Sequence, residues 1–298
     1  MADKVKLRDH SFEMPLANFS KMGGGKDVIG AFYQLIKNIA GQGPAHSGMR
    51  IYYHPTCASS YRVLGELSRR SLLDRVELVR VSHVAPTRAL AEEIWSVPWL
   101  TDDGGPLATD PIEPEEAASI LELGRARLPE EPVRAFMSAV LASLYASALT
   151  YVHGSLRAVA SRRFAEAALR SRLGGPDAGE LIGTILREDP ALVEDYRGKL
   201  MRTLSYGVVR TLWWAGGGVR PEEPPSEREV GLWLLSSASL GRVGLPDAPH
   251  TVASRARELA EAVRSDFERL ARKVDEEQSA IMHDSEYWAL VRRTRAEV

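Results

Sequence analysis

The sequence predicts two folds in series: an α/β domain with the element order βαβαββα over residues 49–124, then an all-α domain over residues 129–298. Three observations predict this. Runs rich in β-branched and aromatic residues alternate with helical spacing as far as Gly124. A Gly-Gly turn separates two short apolar runs around residue 104. Beyond Pro129 apolar residues recur every third or fourth position, with no strand pattern of comparable quality.

Within the first domain, Met49–Tyr53 is a short β-rich run. A helix over Thr56 to Arg70 follows, with Ser60, Val63, Leu64 and Leu67 at helical spacing. Val76–Val84 is a second strand. Leu90, Ala91 and Ile94 mark a second helix, which Pro98 forbids from continuing. Trp99–Thr101 and Leu107–Thr109 flank Asp102-Asp103-Gly104-Gly105-Pro106, a hairpin signal. The last helix opens at Pro114, with Glu115 and Glu116 in its electropositive first turn, and stops at Gly124.

In the second domain, Pro129–Pro132 opens a helical tract reaching about Leu173, with a break near Gly154. Further helices fit Ala178–Glu188, Ala191–Trp214 and Glu227–Leu240, punctuated by glycine and proline. The last helix carries one apolar stripe, from Val252 through Leu259, Phe267 and Val274 to Ile281, on an otherwise charged surface. Residues 1–48 hold one short amphipathic helix around Val28–Ile39 between glycine-rich linkers. Gly23-Gly24-Gly25-Lys26 lacks the spacing of a phosphate loop and no strand precedes it.

Composition excludes several classes. A net charge of −2 leaves no electrostatic footprint for nucleic acid. The N-terminus MADKVKLRDHSF is charged and lacks an apolar core, so no signal peptide is expected. Ala135–Leu156 is uncharged and about as long as a membrane span. Its Ser138, Thr150, Tyr151 and His153 read instead as a buried helix, so no membrane partner and a cytoplasmic location are expected. One cysteine excludes an internal disulfide and any Cys-x-x-Cys metal site. Arg far outnumbers Lys, 31 to 7, and Asn and Gln are scarce, which suggests a thermophile.

That cysteine, Cys57, stands just after a strand and at the start of a helix. The unsatisfied N–H groups of a first helical turn and the helix dipole, about half a positive charge, both favour a thiolate. The pKa is therefore expected to fall below the ordinary thiol value of about 8.5. Ser60, three residues on, can donate its hydroxyl to the sulfur. His54, three residues before it, is close enough to tune the thiol, but a histidine at a strand end reads rather as a bystander. His283-Asp284 reads as a solvated helix face rather than part of a metal site, and Trp213-Trp214 as core and turn rather than a ligand platform.

The run His54-Pro55-Thr56-Cys57-Ala58-Ser59-Ser60 before a helix, then Ser96-Val97-Pro98-Trp99-Leu100, then a Gly-Gly hairpin, resembles the thioredoxin superfamily. Within it the chain is most similar to glutaredoxins and to the N-terminal domains of glutathione transferases. The family pattern is Cys-x-x-Cys or Cys-x-x-Ser at the first helix, faced by a cis-proline from the next strand. Cys57 and Ser60 match the monothiol Cys-x-x-Ser form and Pro98 matches the cis-proline. The resemblance thus implies an α/β thioredoxin-like domain with Cys57, Ser60 and Pro98 as catalytic residues and no metal. Val97, Thr56 and Asp110 would bind substrate, Val97 through its backbone N–H and C=O as an added strand does. The acidic-Ser pair with which many transferases hold the γ-glutamyl group falls near Thr109-Asp110, where Asp110 either contacts an ammonium or caps the following helix, capping being favoured. An α/β domain followed by a helical one is also the transferase layout. His54-Pro55-x-Cys57 is similar as well to arsenate reductase-like proteins, but the basic residues of that chemistry are absent at matching places.

Three functions follow from the resemblance. The favoured one is thiol–disulfide exchange through Cys57, resolved by an external thiol because the chain has no second cysteine. Its partner would be a thiol- or disulfide-bearing protein or a small thiol. The second is a transferase-like enzyme taking glutathione or another low-molecular-weight thiol. The third is a non-enzymatic adaptor, or a homodimer bridging an iron–sulfur cluster through Cys57.

Overall fold

A computed structural model of the chain describes residues 48–81, 93–241, 252–294 and 296–297. The chain divides into the segment Met1–Pro44 and one unit, Ala45–Val298. The helix and linkers expected in residues 1–47 lie outside the described residues, as do positions 82–84 of the second strand and Leu90 and Ala91 of the second helix.

The α/β part begins with β1 (Met49–Tyr53), α1 (Ala58–Arg69), a short 3-10 turn (Leu73–Arg75) and β2 (Val76–Arg80). After the undescribed stretch come β3 (Trp99–Asp102), β4 (Gly105–Thr109) and α2 (Pro114–Leu123). β1 and β2 are parallel, with Met49 opposite Val76, whereas β1–β3 and β3–β4 are antiparallel. Gly105 turns the hairpin with φ +127°, a conformation suited to glycine. The Asp102 carboxylate holds that turn by accepting from Gly104 N–H at 2.8 Å and Gly105 N–H at 3.1 Å. Pro106 sits on the edge strand β4, where a missing donor is tolerated. The expected stop at Gly124 is present as a left-handed cap, φ +63°.

The helical part comprises α3 (Pro132–Ala142), α4 (Leu144–His153), α5 (Arg162–Leu169), α6 (Ala178–Ala215), α7 (Glu227–Gly241), α8 (Val252–Ser265), α9 (Phe267–His283) and α10 (Ser285–Arg293). Four boundaries differ from expectation. The tract from Pro132 breaks at Ser143 as well as at Gly154, and α3 and α4 meet at 104°. Ser143 is extended and its hydroxyl caps α4 by accepting from Ala146 N–H at 3.1 Å. The expected interruption near residue 189 is absent, and α6 runs through Pro190. Pro190 lies on an exposed face, where water can take the carbonyl that its ring frees. The C-terminal stripe is divided at Asp266 into α8 and α9. Finally, β5 (Ala296–Glu297) overturns the expectation of no strand after residue 129. It pairs parallel with Val79 and Arg80 and covers the outer edge of β2, giving the sheet order β4-β3-β1-β2-β5.

No single helix among the described residues is long and apolar enough to cross a membrane. The apolar residues of α4 are instead consumed by packing, for Ala146 to Val152 are all buried.

The sheet is covered on both faces, and this joins the two parts of the chain. Alternation sends Ile51, Leu100 and Ala108 to one face, against α1 and α2. Tyr52 and Trp99 point the other way, into the helical core. There Trp99 stacks on Phe164 with ring centroids 6.4 Å apart, and Phe136 meets Phe164 edge-on at 5.3 Å. A buried ion pair fixes the same junction. Arg170, just past α5, donates to Glu116 of α2 at 3.0 Å and to the Pro111 carbonyl at 2.9 Å.

Candidate functional site at Cys57

Cys57 is the N-cap of α1, with extended backbone. Its N–H donates to the His54 carbonyl at 3.0 Å and its C=O accepts from Tyr61 N–H at 2.9 Å, so the turn and the first helical bond hold it from both sides. The chain from α10 braces this turn. Tyr287 Oη donates to the Pro55 carbonyl at 2.9 Å, and Tyr61 Oη donates to Asp284 Oδ2 at the same distance. Across from Cys57, the Val97–Pro98 peptide is cis, and Cys57 Sγ donates to the Val97 carbonyl at 3.4 Å. The structure thus brings Cys57, Val97 and Pro98 together. Ser60 is fully buried one turn along α1, its Oγ accepting from His54 N–H at 3.4 Å.

Two cavities meet at the sulfur. The larger, about 670 Å³, runs from Cys57, Ser59 and Asp110 to α6, α8 and α9. The smaller, about 580 Å³, is walled by Thr56, Val97, Trp95, Trp214 and Trp233. Cys57, Leu144 and Arg210 line both. Each volume lies in the range of small-molecule sites, roughly 300–1,000 Å³. The close approach that shapes their shared wall depends on Gly207: a Cβ there would stand 2.6 Å from Leu144 Cδ2.

The electrostatics correct the expectation of a depressed thiol pKa. The Cys57 thiol is pushed up from its ordinary value, first by desolvation beneath the helical part and next by the Asp110 carboxylate. Ser60, through its N–H and hydroxyl, and Arg210 act the other way without prevailing. A helix start favours a thiolate only while water or an unopposed cation completes its solvation. Here a roof and an acid intervene.

Asp110 does not cap α2, whose N-cap is Glu113. Its Oδ1 instead accepts from Ile112 N–H at 3.4 Å, beyond a cis Asp110–Pro111 peptide. Burial raises its pKa to about 6 against the opposing effect of Ser59, Ile112, Arg62 and Arg170. Asp110 therefore titrates about a unit below neutrality and lines the cysteine cleft. Thr56 lines the smaller cavity, but its N–H and hydroxyl are engaged with His54 Nδ1 at 3.2 and 3.1 Å. His54 accordingly turns toward Thr56 in these contacts.

The helical half contributes residues that sequence reasoning left out. Arg210, on α6, has no hydrogen-bond or ion-pair partner among the described residues, although it borders both cavities. It is the one charged residue between Arg202 and Arg220, a signal that an otherwise apolar helical run could have offered. Trp213 is core, as expected, and donates to Asp275 at 2.8 Å. Trp214 packs against the same core, borders the smaller cavity and donates to Gln278 at 2.8 Å. His283 bonds the Ser279 carbonyl and Asp284 caps α10 by accepting from Tyr287 N–H. No cluster of His, Cys, Asp or Glu suited to a metal ion occurs among the described residues. No protein-family model, no curated protein and no solved structure matches the chain.

Proposed function

We propose that the chain is a thioredoxin-like monothiol protein that exchanges small-molecule disulfides at Cys57. The carrying observation is that one sulfur borders two cavities, each of ligand size and each lined from both the α/β and the helical part. Two cavities meeting at one sulfur suit a small mixed disulfide with one half in each. The parallel β1–β2 pair, the antiparallel β3–β4 hairpin and the Cys57–Val97 contact support the thioredoxin-like reading.

In the first step the Cys57 thiolate attacks one sulfur of a bound disulfide. A Cys57 mixed disulfide forms, and the other half departs as a thiolate. An external thiolate then attacks the mixed disulfide, releasing a new small disulfide and restoring Cys57. In sum, one disulfide and one thiolate are consumed and one of each is formed, with no net oxidation. Because the resting thiol is largely protonated, substrate entry or proton loss toward Asp110 must precede attack.

The test is turnover of small disulfides in the presence of an external thiol, with Cys57→Ser as control. Turnover accompanied by a mixed-disulfide mass on Cys57 supports the proposal. Turnover that survives Cys57→Ser contradicts it.

The apolar cavity favours a second reading, transfer of a small thiol to an apolar electrophile. The bound thiol's sulfur then forms the new bond, its proton goes to solvent and the electrophile's leaving group departs. Cys57 would serve only as an S–H donor to that sulfur. Conjugation retained in Cys57→Ser, whose hydroxyl also donates, separates this reading from exchange. The roof over Cys57 gives no support to a cluster bridged between two copies.

A further inference from the structure

We infer that the larger cavity takes a polyanionic, phosphate-bearing half of the substrate, rather than a singly charged or cationic one. This rests on the small-molecule reading of the Cys57 site and names the class of thiol it would accept.

The argument is a balance of charges. Five cationic side chains line the cavity: Arg62, Arg202, Arg210, Arg269 and Lys273. Against them stand Asp110, Asp266 and Glu277. Asp266 is consumed locally, because Arg269 Nε donates to it at 2.7 Å. Glu277 accepts from Tyr206 and, at 2.8 Å, from Gln278 Nε2. Asp110 sits at the Cys57 end and, with a pKa of about 6, is mostly ionised at pH 7.

Four cations remain against two carboxylates, Asp110 and Glu277, the latter bonded only by neutral donors, so the lining keeps a net positive charge. Arg202 and Arg210 have no hydrogen-bond or ion-pair partner among the described residues. Lys273 lies over the Tyr206 ring, 5.5 Å from its Nζ, and Arg62 donates to the Ser59 hydroxyl at 3.5 Å and acts through its charge on Asp110. These four come from α1, α6 and α9 and converge on one space. Cations spread over a surface are ordinary, but unpaired ones gathered around a cavity repel each other until an anion enters. Guanidinium groups match phosphate oxygens two at a time, and an ammonium adds a point charge. Arg210 lines both cavities, whereas Arg62, Arg202 and Lys273 line only the larger one.

The smaller cavity provides an internal contrast. Among the described residues Arg210 is the only arginine or lysine on its wall, beside Trp95, Trp214 and Trp233. The two cavities therefore differ in charge, and the preference for a polyanion arises in the larger one.

Binding is measured by calorimetry on the full-length Cys57→Ser protein, which cannot exchange, with three disulfides of different charge: coenzyme A disulfide, glutathione disulfide and cystamine. We expect coenzyme A disulfide to bind at least about tenfold tighter than glutathione disulfide. Cystamine should be weakest, and the margin should shrink in ~0.5 M salt. Arg202→Glu and Lys273→Glu, both at exposed positions, should each weaken coenzyme A disulfide by about tenfold. The inference is overturned if coenzyme A disulfide does not bind, if glutathione disulfide or cystamine binds as tightly, or if the charge reversals leave the preference intact. Wild-type turnover of the uncharged bis(2-hydroxyethyl) disulfide reports on exchange by itself. Turnover without a preference for coenzyme A disulfide sinks the inference and leaves exchange standing. Preference without turnover does the reverse.

Discussion

The two walls that meet at Cys57 are built differently. The α/β wall supplies the sulfur and holds it through backbone: the His54 carbonyl, the Val97 carbonyl and the start of α1. The helical wall supplies side chains, namely Leu144, Arg210 and Trp214. The first wall resists change because its hydrogen bonds do not depend on side-chain identity. The second decides charge, size and solvent access, and so decides what the sulfur can do. A cysteine favoured as a thiolate by its own helix becomes a raised-pKa thiol once the other wall closes over it.

Mutations that separate the walls from the sulfur sharpen this comparison. The largest effect should come from Cys57→Ser, which removes the only thiol and should bring exchange to the uncatalysed level in a steady-state assay. Next is the joint between the walls. Arg170→Ala strands Glu116 in a buried site and should destabilise the protein by about 3–5 kcal/mol in denaturant unfolding. Arg170→Met with Glu116→Leu should restore much of that loss, because it replaces the pair by apolar groups. A single variant no less stable than the wild type would mean that the ion pair does not fasten the walls.

Electrostatic variants are expected to have smaller and opposite effects. Arg210→Gln removes a cation that favours the thiolate, so Cys57 alkylation near neutrality should slow. Asp110→Asn removes the carboxylate that disfavours it and should speed alkylation. Asp110 also has a stability signature. Its native pKa of about 6 exceeds the ordinary carboxylate value, so the native state holds the proton to higher pH than the unfolded chain does. Stability should therefore fall as pH rises from about 4 to about 6, and Asp110→Asn should lack that decline relative to wild type. Smallest is Tyr287→Phe. It deletes the bond to the Pro55 carbonyl and should cost about 1 kcal/mol, with a modest change in the Cys57 alkylation rate.

The difference between the walls also explains what was legible in the sequence. The α/β elements announce themselves locally: a proline at the first position of α2, a glycine at its cap and an Asp-Gly-Gly turn in the hairpin. Cys57, Val97 and Pro98 were visible because each sits at a strand or helix boundary. The helical contributions were not. Arg210 lies about 150 positions after Cys57, and only tertiary packing could reveal that α6 passes over the sulfur. The thiol pKa was misread for the same reason. Local sequence contains the helix start, whereas burial and the Asp110 carboxylate belong to the assembled site. Ser143 and Pro190 show the limit of local punctuation. A serine broke a helix because its hydroxyl found Ala146 N–H, and a proline failed to break one on an exposed face.

The most direct test of a small-molecule site is competition at Cys57 itself. Wild-type protein is offered a small disulfide and an unfolded, disulfide-bearing protein at equal disulfide concentration, and the adduct on Cys57 is read by intact mass. We expect the small-molecule mixed disulfide to dominate, with no protein-sized adduct. A predominant protein adduct, or a Cys57 that forms neither, would contradict the proposed function.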